Sequence, residues 1–369
     1  MLFIDNETVR SVLTIADAID SQDVAFRGLA DGGSIHRPRI DMYVPTGREH
    51  DYYRWGTMEG ASRDLGVFAI RMKSDVIEWP EDANGNWTEE KYCVEPGTYC
   101  GLVMLFSTRN GEPLAMINDG FLQHMRVGAG AGLGVRYLAR EDSRVVGILG
   151  SGGMARTYLQ AFCNERHIER VHVYSPNKQH RESYAAEMSD LLDIDVTPVD
   201  DAESAVRGAD IVATCTDSMR PVLRGAWLEP GMHVTNVGGY EFDADVAKRA
   251  DVTVRQGVGG LPIAPGTERV EYGRGHSPVA YVGGTTEEMK RIPPATERFG
   301  MNQKLPTFTD LVSGASSGRT APSDITVYIN SGNQGLQFAA VGSVVYNKAK
   351  AAGMGRELPT EWFLQDIRD

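Results

Sequence analysis

One stretch of the chain constrains its fold more than any other. It reads VVGILGSGGMARTYLQAF, an apolar run followed by a glycine-rich turn and a helical pattern. In such a turn Gly150 permits the tight bend, Gly152 lets the backbone approach a pyrophosphate, and Ala155 allows close packing of the helix on the strand. The helix N-terminus adds amide donors and a positive dipole. We therefore expect a dinucleotide diphosphate to bind at Gly150, Ser151, Gly152, Gly153, Met154 and Ala155.

Strand and helix patterns alternate after this turn. The apolar runs are VHVYS, DIVAT, HVTNV and DVTV, and residues 178–192 between the first two carry a helical pattern. Alternation over about 110 residues predicts an α/β fold with a doubly wound parallel sheet of the Rossmann type. The helical stretch before the turn, FLQHMRVGAGAGLGVRYLAR, contains four glycines at 128, 130, 132 and 134. They predict close packing of this helix backbone against another element or a ligand.

The two ends of the chain differ from this middle region. Residues 36–75 consist of short apolar runs separated by Pro and Gly, and Asn110-Gly111 separates two more, which predicts a sheet with a hairpin. Residues 1–30 predict one helix, and 78–97 predict a surface excursion between strands. We expect a long Gly/Pro-rich loop at about 257–306, a strand at SDITVYINSG, and a last helix from 336 to 352.

The composition and net charge of the chain limit the classes of molecule that it is expected to bind. The chain has 369 residues, with 50 acidic against 37 basic side chains, and its formal net charge is −13. This surface repels polyanions, which argues against nucleic acid and membrane surfaces as partners. The start of the chain lacks a leader pattern and no apolar run is long enough to span a bilayer, so we expect a cytoplasmic protein. We expect no metal site and four unpaired thiols, at Cys93, Cys100, Cys163 and Cys215.

The tip of the second strand in the alternating region bears on the choice of dinucleotide. An NAD site usually has an acidic residue here for the ribose hydroxyls, but this chain reads YSPNKQHR. Hydroxyl, amide and cationic groups without a carboxylate would accept a 2′-phosphate, which favours NADP(H) over NAD(H). The expected ligands are Ser175, Asn177, Lys178 and Arg181. The alternative is that Lys178 and Arg181 only solvate the helix start.

Three cations come from separate segments that are otherwise poor in cations. Arg39 lies in HRPRIDMYVP, Lys73 in LGVFAIRMK, and Arg126 at the head of the glycine-rich helix. If the fold brought them together they would bind a carboxylate, with arginine as a bidentate donor and lysine as a point charge. The alternative is that each is a surface or ion-pair residue.

Several motifs occur together in an order and spacing that match a known family. They are PRIDMYVP, GTMEGA, LGVFAIRMK, INDGFLQHMRVGAGAGLGVRYLAR, GILGSGGMAR, DIVATCTDSMRPVLRGAWLEPGMHVTNVG and SDITVYINSG. On these stretches the chain resembles the ornithine cyclodeaminase/μ-crystallin family over nearly its whole length. The resemblance implies a homodimer of two-domain subunits. It implies a β-rich α+β substrate-binding and dimerisation domain, residues 1–125 plus 320–369, around an inserted NAD(P)-binding Rossmann domain, residues 126–319.

The resemblance also implies roles for single residues. Arg39, Lys73 and Arg126 would hold the substrate carboxylate, with Met58 and Glu59 near the pocket. The residues expected along the cofactor are Thr214, Thr216, Val237 and Ser331.

Three positions depart from the family pattern. Tyr240 stands where cyclodeaminases have an Asp after VGG, Val127 replaces a Thr, and Gln337 stands in the place of an acidic residue. Loss of the Asp counts against the ammonia-eliminating cyclisation of ornithine.

These departures favour an NAD(P)H-dependent oxidoreductase that acts on a C=N or CH–NH bond next to a carboxylate, in an imino or amino acid. Lys73, Glu59, Glu241 and Tyr240 are the candidate proton donors. Two alternatives remain: a cyclodeaminase-type lyase that recycles NAD, and a non-catalytic NADPH-dependent ligand-binding protein.

Overall fold

The computed structural model describes residues 1–81, 83, 87–258, 269–294, 299 and 304–367. The side chains of 271–274 are not described. The described helices include none that is both long enough and apolar enough to cross a bilayer.

The first sheet is mixed and contains ten strands. Its order is β14-β15-β2-β3-β4-β6-β7-β1-β17, and β5 pairs with β4 outside this path. The strands are β1 (Leu2–Ile4), β2 (Ser34–Pro45), β3 (Tyr52–Ser62), β4 (Val67–Glu78), β5 (Glu90–Tyr92), β6 (Cys100–Ser107), β7 (Pro113–Asn118), β14 (Val270–Arg274), β15 (Ser277–Val282) and β17 (Arg356–Glu357). The expected hairpin forms between β6 and β7, with Gly111 in its turn at φ +78°.

The second sheet has seven strands, and every neighbouring pair is parallel. Its order is β10-β9-β8-β11-β12-β16-β13. The strands are β8 (Val145–Leu149), β9 (Arg170–Tyr174), β10 (Asp195–Pro198), β11 (Ile211–Thr214), β12 (His233–Asn236), β13 (Val252–Arg255) and β16 (Thr326–Ile329). The chain order reverses between β8 and β11, which is where doubly wound sheets bind ligands at the carboxyl ends of their strands. The prediction of a Rossmann sheet joined to a β-rich domain is confirmed.

The helices cover both sheets. They are α1 (Asn6–Val12), α2 (Ile15–Arg27), α3 (Gly120–Leu138), α4 (Gly153–Glu165), α5 (Lys178–Leu192), α6 (Ala202–Val206), α7 (Ala244–Arg249), α8 (Thr286–Met289), α9 (Phe308–Val312) and α10 (Gln334–Ala351). Helix α3 runs between the two halves of the molecule. An added Cβ at Gly128 would lie 2.6 Å from the Thr157 backbone in α4, and one at Gly132 would lie 2.9 Å from Ile19 in α2. The glycines of α3 therefore allow the close packing that the sequence predicts.

Three local predictions need correction. The expected helix over 1–30 is a short strand followed by two helices, because Thr14 and Asp17 form a capping box that starts α2. The expected loop at 257–306 contains the β14–β15 hairpin, whose second strand pairs in parallel with β2. The surface excursion at 78–97 likewise contributes β5 to the edge of β4.

The strand allocation also differs from the expected domain bounds. Strands β14 and β15 were expected in the Rossmann region but join the first sheet. Strand β16 was expected with the substrate-binding domain but lies between β12 and β13 of the second sheet. The chain therefore passes between the two sheets more often than one simple insertion requires.

Candidate active site

Charged side chains lie on the inner face of the first sheet, at the positions of β4 that are buried. The odd-numbered residues of β4 are all buried, beginning with Val67 in the apolar core. Three successive odd positions then carry Arg71, Lys73 and Asp75, at 3%, 3% and 2% exposure. Because side chains alternate along a strand, these three point to the same face. Burial of charges is costly unless they are paired or bind a ligand, so this face is built for polar recognition.

Arg39 and Lys73 meet at Asp41, a residue that the sequence analysis missed. The Arg39 guanidinium lies 2.7 Å from one Asp41 oxygen, and the Lys73 ammonium lies 3.2 Å from the other. Burial, followed by the charge of Arg39, lowers the pKa of Lys73 well below its ordinary value. Although burial opposes it, the charges of Arg39 and Lys73 keep the pKa of Asp41 low. Two of the three expected carboxylate ligands are thus side by side, with one carboxylate between them.

Arg126 occupies a second position, beside Arg71. Both guanidinium groups lie over the Phe338 ring, at 5.0 Å and 5.6 Å from its centroid. Arg71 forms an ion pair with Asp119 at 2.6 Å, whereas the side-chain hydrogen bonds of Arg126 go to Gln123 and Gln337. Burial and then the charge of Arg71 lower the pKa of Arg126 to about 9, so the guanidinium stays protonated at neutral pH.

A series of ion pairs and one ring contact connects this face to the second sheet. Arg54 forms two hydrogen bonds to Asp75, at 2.8 Å and 2.7 Å, and a third to Glu89 at 2.5 Å. Glu89 in turn pairs with His276, which lies between β14 and β15. The His276 ring contacts the Tyr240 ring, with centroids 6.1 Å apart. Tyr240 follows β12. The second sheet therefore approaches the charged face at Tyr240.

The structure separates Glu59 from these groups. Its carboxylate accepts a hydrogen bond from Arg37 at 2.9 Å, and the Arg37 side chain is half exposed. Met58 precedes it on β3 and is buried in the apolar core, so Glu59 points to the opposite face of the sheet from Met58. This orientation corrects the expectation that Glu59 supplies a proton near Lys73.

The glycine-rich turn between β8 and α4 has the geometry of a diphosphate site. Gly150 has φ +112°, and a Cβ there would overlap the Cys215 carbonyl. Within the described residues, no atom lies within 4 Å of a Cβ built at Gly152, and no side chain caps the N-terminus of α4. The Ala155 side chain is fully buried. The amides of this turn, with Ser151, Gly153 and Met154 between the named positions, therefore fit the diphosphate of a dinucleotide.

Other expected cofactor residues lie at the carboxyl ends of the neighbouring strands. Thr214 ends β11, Val237 follows β12, and Ser331 follows β16. The Thr216 amide and hydroxyl both donate to Glu241 at 2.7 Å. Glu241 also accepts from the amides of Val237 and Gly238, and burial raises its pKa. Glu241 therefore ties the two strand ends together, and the Thr216 hydroxyl is engaged within the protein.

The residues expected to read a 2′-phosphate lie at the tip of β9. The Arg181 guanidinium donates to the Ser175 carbonyl at 3.0 Å and pairs with the exposed Asp200 at 2.7 Å. Asn177 caps α5 by accepting from the His180 amide. Lys178 is exposed and lies 3.7 Å from Glu182.

Sequence reasoning missed Arg54, Arg71, Asp75 and Glu89 as well as Asp41. The signal that was available is the alternation of β4, where charged residues recur at every second position of an otherwise apolar strand. The partners of these residues come from distant segments and carry no comparable local signal.

Comparison with known proteins agrees with this arrangement. The sequence profile of the ornithine cyclodeaminase/mu-crystallin family matches residues 86–353. A Delta(1)-pyrroline-2-carboxylate reductase of Paracoccus denitrificans is 30% identical over 240 residues, which are 65% of this chain and 70% of that protein.

Solved structures show the same fold. The Thermococcus litoralis Delta(1)-pyrroline-2-carboxylate reductase, in complex with NADH and L-proline, superposes with a TM-score of 0.74 at 24% identity and covers 97% of this chain and 100% of that one. An archaeal alanine dehydrogenase dimer with bound NAD superposes with a TM-score of 0.71 at 22% identity, covering 97% and 98%. Since the family profile spans most of the chain and the whole fold is shared, this protein belongs to the ornithine cyclodeaminase/mu-crystallin family.

Proposed function

We propose that this protein is an NAD(P)H-dependent oxidoreductase of a C=N or CH–NH bond next to a carboxylate, in a small imino or amino acid. One observation carries the proposal. Among the residues that the structure describes, five cationic side chains of the inner-face cluster face four carboxylates. The cations are Arg39, Arg54, Arg71, Lys73 and Arg126, and the carboxylates are Asp41, Asp75, Glu89 and Asp119. A substrate carboxylate would supply the missing negative charge.

The position of each residue in the site indicates its role in the reaction. Arg39 and Arg126 bind and orient the substrate carboxylate, together with Lys73. The glycine-rich turn would hold the cofactor by its diphosphate, and the reduced nicotinamide of that cofactor would provide hydride chemistry at the imine carbon. The Lys73 ammonium gives its proton to the imine nitrogen, and the lysine regains a proton from solvent. Lys73 is the preferred donor because Glu59 faces away and the Glu241 oxygens already accept four hydrogen bonds.

The pairing of the acids argues against a diamino acid as substrate. Recognition of the second ammonium group of ornithine requires an available carboxylate. Within the described part of the chain, the acids of the inner-face cluster are each paired with a cation, and Glu241 is held by Thr216 and backbone amides. Tyr240 provides no negative charge at the position where cyclodeaminases have an Asp.

The decisive experiment measures net cofactor consumption. Purified protein is given cyclic imines such as pyrroline-2-carboxylate, or 2-oxo acids with ammonia or methylamine, and NADPH or NADH. We expect one cofactor oxidised for each amine formed, and the reverse reaction with amino acids at high pH. Proline and ammonia from L-ornithine, formed without net change of cofactor, would contradict the proposal.

We also propose a preference for NADP(H). At the tip of β9 the Arg181 guanidinium donates to the Ser175 carbonyl, and residues 175–178 contain no carboxylate. The relatives of known structure carry NADH and NAD, so this preference would be a feature of this chain. Fluorescence titration should give at least several-fold tighter binding of NADPH than of NADH. Ser175→Asp should reverse the order by charge repulsion, and equal affinities in the wild type would exclude the preference.

We further propose that the protein is a homodimer through the outer face of the first sheet. Met42, Val44, Tyr53 and Tyr281 lie on three adjacent strands of this face and are between 38% and 53% exposed. A second copy of the chain would cover this apolar patch. Light scattering should give twice the chain mass of 40.4 kDa, and a monomer mass would exclude the dimer.

A further inference from the structure

The partners of Arg126 are unusual for a buried cation. Its Nη1 donates to Gln337 Oε1 at 2.8 Å, and its Nε and Nη2 donate to Gln123 Oε1 at 3.2 Å and 3.0 Å. Among the residues that the structure describes, no carboxylate forms an ion pair with it. Two neutral amides therefore hold the guanidinium of a residue that is 9% exposed, and the nearby charge of Arg71 adds repulsion that the charge of Asp119 opposes.

The Gln337 amide can lie in only one orientation. Its Nε2 donates to Gln22 Oε1 at 2.9 Å and to the Arg126 carbonyl at 3.0 Å, while its Oε1 faces the guanidinium. Rotation of the amide by half a turn would place an N–H group against the guanidinium and an oxygen against two acceptors. The fully buried surroundings thus specify an amide, which accepts from Arg126 on one side and donates on the other.

We infer that Gln337 is a positioning residue that holds the Arg126 guanidinium in place without neutralising it, so that its charge remains available to the substrate carboxylate. A carboxylate at this position would form an ion pair with Arg126 and compete with the substrate for it. Gln123 holds the same guanidinium from the other side and has the same effect. This inference rests on the proposed function, because it assigns the unneutralised charge to binding of that substrate.

The test replaces each amide by a carboxylate and by an uncharged side chain. Gln337→Glu and Gln123→Glu should each raise KM for the imine about thirty-fold or more at pH 8, as expected when a charged contact is lost. kcat should change by less than about three-fold, because an interaction equally strong in the ground and transition states affects KM alone. The KM effect should shrink as the pH falls, since a protonated glutamic acid no longer neutralises Arg126. Gln337→Met and Gln123→Met are the matched controls and should raise KM much less.

Calorimetric binding of an unreactive carboxylate, pyrrole-2-carboxylate, to the cofactor-loaded protein gives a readout independent of turnover. Binding that is weakened much more in both Glu variants than in the Met variants supports the inference even if no imine is turned over. Absence of turnover would reject only the proposed function. Turnover with wild-type KM in both Glu variants would overturn the inference and leave the proposed function standing. If Gln337→Glu fails to fold, Gln123→Glu decides, because Gln123 is only half buried and, among the described residues, its side chain accepts hydrogen bonds only from Arg126.

Discussion

Replacement of Lys73 by Met should reduce imine turnover by about a thousand-fold or more, because removal of a general acid alone costs about 10²- to 10⁴-fold. The substrate carboxylate loses a charged contact in the same variant. The fold should persist, since Met has a similar length and Asp41 keeps its ion pair with Arg39 at 2.7 Å. Cofactor affinity should remain within a few-fold of the wild type, because Lys73 lies on the first sheet and the glycine-rich turn lies in the second.

The pH dependence of the wild type follows from the lowered pKa of Lys73. Reduction requires the ammonium form, so its rate is highest below this pKa and falls as the pH rises through it. The reverse oxidation requires the free amine, and its rate should rise over the same interval. Both dependences should disappear in Lys73→Met, which steady-state rates measured across the pH range in both directions would show.

A surface lysine provides the control for this variant. The Lys290 side chain is 66% exposed and pairs with Glu287, three residues earlier, so Lys290→Met should retain wild-type turnover and pH dependence. If Lys73→Met kept even a tenth of the wild-type rate, Lys73 would not be the proton donor. A residue such as Tyr240 or a bound water would then have to take that role.

The sequence predicts much of the second sheet because most of its elements carry their own local signal, although β10 was not predicted and β16 was expected in the other domain. The strand at 145–149, the turn at Gly150 and the helix at 178–192 form where their patterns place them. The β14–β15 hairpin was missed because β15 pairs in parallel with β2, more than 230 residues earlier in the chain. Nothing local in 257–306 specifies that partner. The break between α1 and α2 was missed because apolar spacing continues across Thr14, whose capping box stops one helix and starts the next.

Prediction of the candidate site was limited in the same way. The local sequence identifies candidate residues but does not show which of them lie together in the fold. The cations Arg39, Lys73 and Arg126 were identified as candidates, but whether they lie together depends on strand pairing. The structure brings two of them together through Asp41, and it places the third against Arg71 and Phe338. Glu59 was expected near the pocket, together with Met58, from the family resemblance, but neighbouring residues of a strand point to opposite faces. A strand period of two, applied to β3 and β4, would have separated Glu59 from Lys73.

The second prediction with a large expected effect concerns Gly56, on the strand between Asp41 and Lys73. Gly56 on β3 is paired with Asp41 on β2 and with Lys73 on β4. The two charged side chains meet over this glycine, and a Cβ at Gly56 would overlap both Asp41 Oδ1 and Lys73 Cε. General propensity would predict that Ala improves an interior strand position, since glycine has no side chain to pack. Here we expect the opposite result. Gly56→Ala should force the ion pair apart and lower kcat/KM at least about a hundred-fold, by displacing a charged contact to the substrate.

The cost to folding should be smaller than the cost to catalysis. Overpacking at one position typically destabilises a protein by about 1–3 kcal/mol, so Gly56→Ala should still fold and bind its cofactor.

Gly342→Ala is the matched control, because a Cβ at this buried glycine of α10 would lie 3.3 Å from a Leu105 methyl group that can shift. Alanine gains about 1 kcal/mol in a helix interior, so the free energy of unfolding of this control should be unchanged or higher, with normal turnover. Denaturant unfolding and kcat/KM of both variants measure the two effects separately. Normal kcat/KM in Gly56→Ala would mean that the contact between Asp41 and Lys73 is not needed for the reaction, because the added methyl group cannot be accommodated while that contact is kept.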